Sequence, residues 1–347
     1  MVGEPSRSTN GQTSLILHLA GAVLAAINSN AGGAHSGLCR ACWAFRACLA
    51  ALVLLAVTTL PAKADFEDGA AAYQRGDYET AFEEWQSAAE KGDVDAQATL
   101  GGAYLVGKHI EADTDKGIYW TEIAAVAGHP DAQLNLAVVY SEGRYRDTNH
   151  EKAKYWFEKS ASQGVNQALY NLANYYRYGL TVEMDMKRAS ELYRQAAENG
   201  YTLASFALGK LMKDGELGQV NEVEAFHLIK SAAEDELPRA QNETGENYFE
   251  GFGVDRNDSL AFYWFNKAAR QGYSFAQFNM AVAYTRGIGV VPNPEQTLKW
   301  LLVSHRVKPS ENKLAYINEL KLALSGKTIN RATEQAENCI ETNYREC

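Results

Sequence analysis

Residues 240–272 read AQNETGENYFEGFGVDRNDSLAFYWFNKAARQG, and this stretch holds two helices and the turn between them. Ala240, Thr244 and Tyr248 stand four apart, the spacing of one helix face. Gly251 then offers a residue that takes positive φ freely, the common way for a helix to stop. Six residues on, Asn257 carries a side-chain oxygen able to accept from the exposed amides of a new helix. That helix sets Trp264 and, five residues further, Ala269 along one seam before Gly272.

The same arrangement recurs along the chain. Gly92, Gly128, Gly164, Gly200 and Gly272 are 36 residues or a multiple of it apart, with Glu236 in the remaining slot. Four residues after each of these positions stands Ala96, Ala132, Ala168, Ala204, Ala240 or Ala276. Eight after come Leu100, Leu136, Leu172, Leu208, Thr244 and Met280, and twelve after come Tyr104, Tyr140, Tyr176, Met212, Tyr248 and Tyr284. Gly107, Gly143, Gly179, Gly215, Gly251 and Gly287 read as helix stops. Asp113, Asn149, Asp185, Asn221, Asn257 and Asn293 read as N-caps of second helices, and Pro294 and Glu295 strengthen the last of these. The second helices align Trp120, Trp156, Leu192, Leu228, Trp264 and Trp300, with Ala125, Ala161, Ala197, Ala233 and Ala269 five on. One helix pair cannot bury both seams alone, so neighbours must stack: the expected fold is all-α, an α/α solenoid of 36-residue helix pairs.

The flanks depart from the period. Residues 65–92 form a shortened pair, Ala70 to Gly76 and Tyr78 to Lys91, that resembles a tetratricopeptide half-match through Ala81, Trp85 and Ala89. Six full units occupy 93–308. Over 309–347 the pattern stops, and Asn312 to Leu324 and Ala332 to Glu341 read as two helices capping the stack.

Residues 1–64 read as an N-terminal extension and secretory signal. An apolar run from Ala47 to Leu60 follows Arg40 and Arg46, and Ala62 and Ala64 are the small residues cleavage needs, which places the cut between Ala64 and Asp65. A retained anchor is the competing reading, since Ser14 to Ile27 is also apolar; a start codon nearer Leu38 is a further one, since no Met separates Met1 from Met184. Cleavage leaves 29 basic and 42 acidic side chains, a net charge of −13. Such a chain repels phosphates and anionic lipid, so nucleic acid and membrane are not expected partners and a basic or neutral polar one is. The expected location is periplasmic or secreted.

Cleavage also removes Cys39, Cys42 and Cys48, leaving Cys339 and Cys347, which an oxidising compartment favours as a disulfide. One continuous helix would hold their Cα atoms about 12 Å apart, beyond the ~7 Å a bridge tolerates. The helix must therefore end between them, at Asn343; two unpaired or intermolecularly paired thiols are the alternative.

Ala240, Gly245, Tyr248, Gly251, Gly253, Val254, Ala261, Trp264, Ala268, Ala269 and Gly272 resemble the Sel-1-like repeat pattern, a relative of the tetratricopeptide repeats. The resemblance covers 93–308 strongly and 65–92 loosely. It implies a right-handed superhelix whose concave side, lined by the first helix of each pair, docks proteins, and for exported bacterial members it implies adaptor or regulator roles in the cell envelope. One cysteine-rich branch is linked to β-lactam binding through a disulfide inside each repeat; this sequence has none there, so that activity is not carried over.

The first-helix face away from the Ala/Leu/Tyr seam carries Asn135, Glu142, Asn171, Tyr175, Tyr178, Asp214, Glu243, Asn247, Glu250, Asn279 and Arg286. Their amides, carboxylates and phenols suit an extended peptide, with Tyr175 and Tyr178 as aromatic anchors; a merely solvated face is the plain alternative. The periodic Tyr and Trp residues read as core. His109, His129, His150, His227 and His305 fall at unrelated places in the unit, without a second ligand at metal spacing, and no nucleophile elbow, zinc helix or phosphate loop occurs. No catalytic residue, metal or cofactor is therefore expected. The sequence reads as an exported scaffold that binds a protein or peptide. A cell-wall or polysaccharide-binding factor is the alternative, and an enzyme acting on β-lactams or glycan is the weaker one.

Overall fold

The computed structural model describes residues 66–347 apart from Arg144, Arg146, Gln219 and Val220. The signal segment, the second apolar run and the cleavage site after Ala64 lie outside the described residues. Among those described, the chain forms sixteen helices and no strand. They are α1 (Phe66–Gln74), α2 (Tyr78–Glu90), α3 (Val94–Val106), α4 (Thr114–Val126), α5 (Pro130–Glu142), α6 (His150–Ser162), α7 (Asn166–Tyr178) and α8 (Met186–Glu198). Then follow α9 (Thr202–Lys213), α10 (Glu222–Glu234), α11 (Pro238–Glu250), α12 (Asp258–Ala269), α13 (Ser274–Arg286), α14 (Pro294–Val307), α15 (Glu311–Ala323) and α16 (Gly326–Glu341). From α1 to α14 each helix packs on its successor, which is a solenoid of helix pairs.

Local chemistry sets the boundaries. The side chains of Asp113, Asn149, Asp185, Asn221, Asn257 and Asn293 each accept from the backbone N–H three residues on. Gly107, Gly143, Gly179, Gly251 and Gly287 stop the first helices in the left-handed region. The fourth unit differs, because α9 ends at Lys213 with Asp214 still right-handed, and Gly215 turns the chain one residue later. Second helices close with a two-bond reverse turn in which, for example, His129 N–H reaches the Ala124 carbonyl and Leu237 N–H reaches that of Ala232. Glu236 makes this turn with φ +64 in the place other units give to glycine.

The alanines four residues after the unit's glycine are all fully buried, and the Leu, Thr and Met residues eight after lie with them. On the second helices, Trp120, Trp264 and Trp300 are buried, while Trp156 and Leu228 are half-buried. The position just after these is the more deeply buried one throughout: Thr121, Phe157, Tyr193, Ile229, Phe265 and Leu301. In three units it faces a glycine on the partner helix of the same pair: Gly101 for Thr121, Gly209 for Ile229 and Gly245 for Phe265. A Cβ on Gly245 would meet Phe265 at 2.6 Å, and one on Gly209 would meet Ile229 at 2.7 Å. Helix pairs thus close on a large-into-small fit.

Between units, a glutamine recurs as a polar link. Gln97, Gln133, Gln241 and Gln277 are buried, and each donates to a carbonyl in the last turn of the preceding second helix: Ala89, Ala125, Ala233 and Ala269 respectively. These carbonyls are among those a helix end leaves without partners.

In four units the backbone turns left-handed again seventeen residues after the unit's first position. Gly253 and Gly289 do this without strain, whereas His109 and Thr181 do it at φ +62 and +64. A β-branched residue is a poor choice there. Thr181→Gly is expected to raise stability by about 1 kcal/mol, read as a shift in the urea midpoint; a drop would mean the threonine side chain contributes more than its backbone costs.

At the far end, α16 rather than α15 continues the core. Ala332, Ala336 and Cys339 are buried with the residues of α14, whereas α15 buries Ile317. The final helix starts at Gly326, six residues before the expected Ala332, because Ser325 caps it by accepting from Thr328 N–H. Cys339 and Cys347 are joined with their Cα atoms 4.6 Å apart. The helix ends at Glu341, and Asn343 and Tyr344 turn the chain back with positive φ.

Candidate functional site

The candidate face is built by the first helices α5, α7, α9, α11 and α13. Seven residues after the unit's glycine stand Asn135, Asn171, Glu243 and Asn279, all half-buried; fourteen after stand Glu142, Tyr178, Asp214, Glu250 and Arg286, all exposed. Seven residues make two helical turns, so these form two rows on one side of every first helix. Asn135 and Asn171 have no hydrogen-bond partner among the described residues, and Tyr178 is 62% exposed, with the Arg177 guanidinium 5.3 Å from its ring centre.

Two of the expected contact residues do not belong to this face. Tyr175 is 4% exposed; its ring meets Phe157 edge-on at 5.6 Å, and its hydroxyl lies 3.1 Å from His150 Nδ1. Burial pushes its phenol up to about 12. Asn247 is fully buried and accepts from Lys213 Nζ at 2.6 Å. Both stand eleven residues after the unit's glycine, three beyond the buried Leu172 and Thr244, and a step of three returns to the same helix face. They are seam residues with polar ends, and of the two tyrosines expected on the face Tyr178 is the exposed one.

On α9, α11 and α13 the face is tied together from unit to unit. Glu243 accepts from Lys210 at 3.1 Å and Lys213 at 2.8 Å. Lys210 also reaches Asp214 at 3.0 Å, and Lys213 reaches Glu250 at 3.4 Å. Asn279 donates to Asn242 at 2.9 Å and to Glu246 at 3.3 Å. Burial and the neighbouring Glu243 hold the Glu246 carboxyl above its ordinary range. Lys210, Lys213, Asn242 and Glu246 were not among the expected residues. The signal that marks the two lysines is charge inside an otherwise apolar helix, TLASFALGKLMK.

A half-buried charged network of this kind orients side chains before any partner arrives, which lowers the ordering cost of binding. It holds no nucleophile beside a base. Among the described residues, no three His, Cys, Asp or Glu side chains gather where a metal ion could sit. No described helix is long and apolar enough to cross a membrane.

Stacked helix pairs presenting polar side chains on successive first helices define a helical repeat scaffold. The family model described as Sel1 repeat matches residues 66–93, 94–129, 130–165, 166–201, 202–236, 238–273 and 274–302. The chain belongs to the Sel1 repeat family, a family of helical scaffolds that typically mediate protein interaction. The first of these matches takes in the shortened pair that resembles a tetratricopeptide half-match, so the family's repeat begins with α1.

A solved Sel1 repeat protein from Oxalobacter formigenes is similar to this chain, with 26% identity and a TM-score of 0.64, over 70% of this chain and 100% of that one. The structure of c5321, a protective antigen of uropathogenic Escherichia coli strains displaying an SLR fold, is 24% identical with a TM-score of 0.53, over 80% of this chain and 69% of that one. Immunity protein Pa5087 from Pseudomonas aeruginosa aligns at 18% identity and a TM-score of 0.41, over 63% of this chain and 83% of that one. Comparison with curated proteins finds no match.

Proposed function

We propose that this protein is an exported scaffold that binds a protein or peptide along its first-helix face and acts as an adaptor or regulator in the cell envelope. One observation carries the docking half of this reading. The rows of Asn135, Asn171 and Tyr178 are open to a partner, while α9 and α11 are tied by the Lys210/Lys213–Glu243 links and α13 is tied to α11 through Asn279. With Asp214 and Glu250 paired to Lys210 and Lys213 and Arg286 in the same row, the face suits a basic or neutral polar peptide. The export half is supported by the sequence: Arg46, the apolar run to Leu60, and Ala62 and Ala64 ahead of Asp65.

The test is photocrosslinking in cells from a reactive amino acid at position 178, with recovery from the exported fraction. Tyr178→Ala combined with Asn171→Ala is expected to weaken capture of the crosslinked partner by roughly tenfold or more, the effect of losing an anchor residue, while circular dichroism stays unchanged. Full capture by the folded double variant would remove this face from consideration.

A further inference from the structure

Lys299, in α14, is 5% exposed, and no Asp or Glu side chain among the described residues lies within ion-pair distance of it. Its ammonium donates to the backbone oxygen of Cys347. Arg270, at the end of α12, donates to the carbonyl oxygen of Arg345 at 2.7 Å. Two cations of the stack therefore grip two backbone oxygens of one short segment, residues 342–347, which hooks back over the end of the solenoid.

Two features of the hook cost energy, and a third packs it onto the stack. Asn343 and Tyr344 both sit at positive φ, 51° and 66°, a conformation that costs energy for residues with a Cβ. Burial, followed by the nearby Arg270, lowers the Lys299 pKa, so the covered ammonium would gain from water. The Tyr344 ring is laid against Gly272, where an added Cβ would meet it at 2.7 Å; the equivalent Gly92, Gly128, Gly164 and Gly200 have nothing within 4 Å. Beside these hydrogen bonds and the ring contact, release is opposed by the covalent tie from the buried Cys339 to the half-buried Cys347.

We propose that the Cys339–Cys347 bridge is a redox latch: a dithiol reductant opens it, the 342–347 hook lifts away, and Lys299 and Arg270 become a cationic patch at the end of an acidic chain. In the opening step the dithiol delivers two electrons and two protons, the S–S bond breaks, Cys339 and Cys347 become thiols, and the reductant becomes the disulfide. The partly exposed Cys347 is the sulfur that an incoming thiolate reaches.

The test compares acylation of the full protein by an N-hydroxysuccinimide acetate before and after treatment with dithiothreitol, with each lysine quantified by mass spectrometry. Reduction is expected to speed modification of Lys299 by roughly tenfold or more, as local opening does. Lys213, sheltered in another unit, should keep its rate, and helicity should be unchanged. Cys347→Ser is expected to show the fast rate without reductant. Equal protection of Lys299 in the oxidised protein, the reduced protein and the variant would overturn the latch. A rise at every lysine together with loss of helicity would overturn it as well, since the bridge would then hold the fold and gate nothing.

Discussion

Trp264→Ala is expected to lower the unfolding free energy by about 3–5 kcal/mol, the cost of emptying a large aromatic site that cannot collapse. Trp264 is 7% exposed and is buried together with Phe265, Ala268, Met280 and Trp300. Its ring is flanked by Tyr263 at 5.3 Å, and the Lys267 ammonium lies 5.4 Å from its centre. Neighbouring pairs lean on this residue, so the loss spreads to the unit interface. Urea unfolding followed by circular dichroism measures it. A loss under about 1 kcal/mol would fit a surface tryptophan kept for stacking a ligand and would contradict its place in the core.

The second large effect is expected at Gly253. It sits at φ +66, and a Cβ there would stand 2.1 Å from the Glu222 carbonyl oxygen and 2.6 Å from its carbon. Glu222 opens α10, the second helix of the preceding unit, so the turn after α11 touches its neighbour backbone to backbone. Gly289 meets Asp258, which opens α12, in the same way. Gly253→Ala combines the left-handed penalty with overpacking against a rigid carbonyl, about 2–4 kcal/mol together. Gly200→Ala is the control: φ is +81 but nothing lies within 4 Å, so about 1–2 kcal/mol is expected. If thermal melts show the two variants equally destabilised, close approach between units is not what the second glycine of the turn provides.

His109 shows how a unit manages without that glycine. It occupies the same position, and its ring stacks on Tyr78, the residue that opens α2, at 3.8 Å. The contact between a turn and the preceding second helix is thus preserved while its chemistry changes from backbone to ring.

The face was less legible than the fold, and the reason can be traced to individual residues. Tyr175 and Asn247 look like contact residues because their ends are polar, yet each lies three positions beyond a buried residue and shares its face. Phe157, Tyr193 and Phe265 outrank the neighbouring tryptophan register in depth. Recognising this requires knowing that a small residue such as Gly245 stands opposite. The pairing of Lys210 with Glu243 spans 33 residues, and no periodicity in apolar positions announces it.

The helix stops, the N-caps and the alanine seam were readable from the chain alone, because each rests on groups within a few residues of one another and repeats at a fixed period. The stack decided the rest: which polar side chains of the face are bound across units, which glycine must let two backbones touch, and where the tail folds back onto Lys299 and Arg270. Those partners lie 30 or more residues apart, so only packing of the assembled helices brings them within reach.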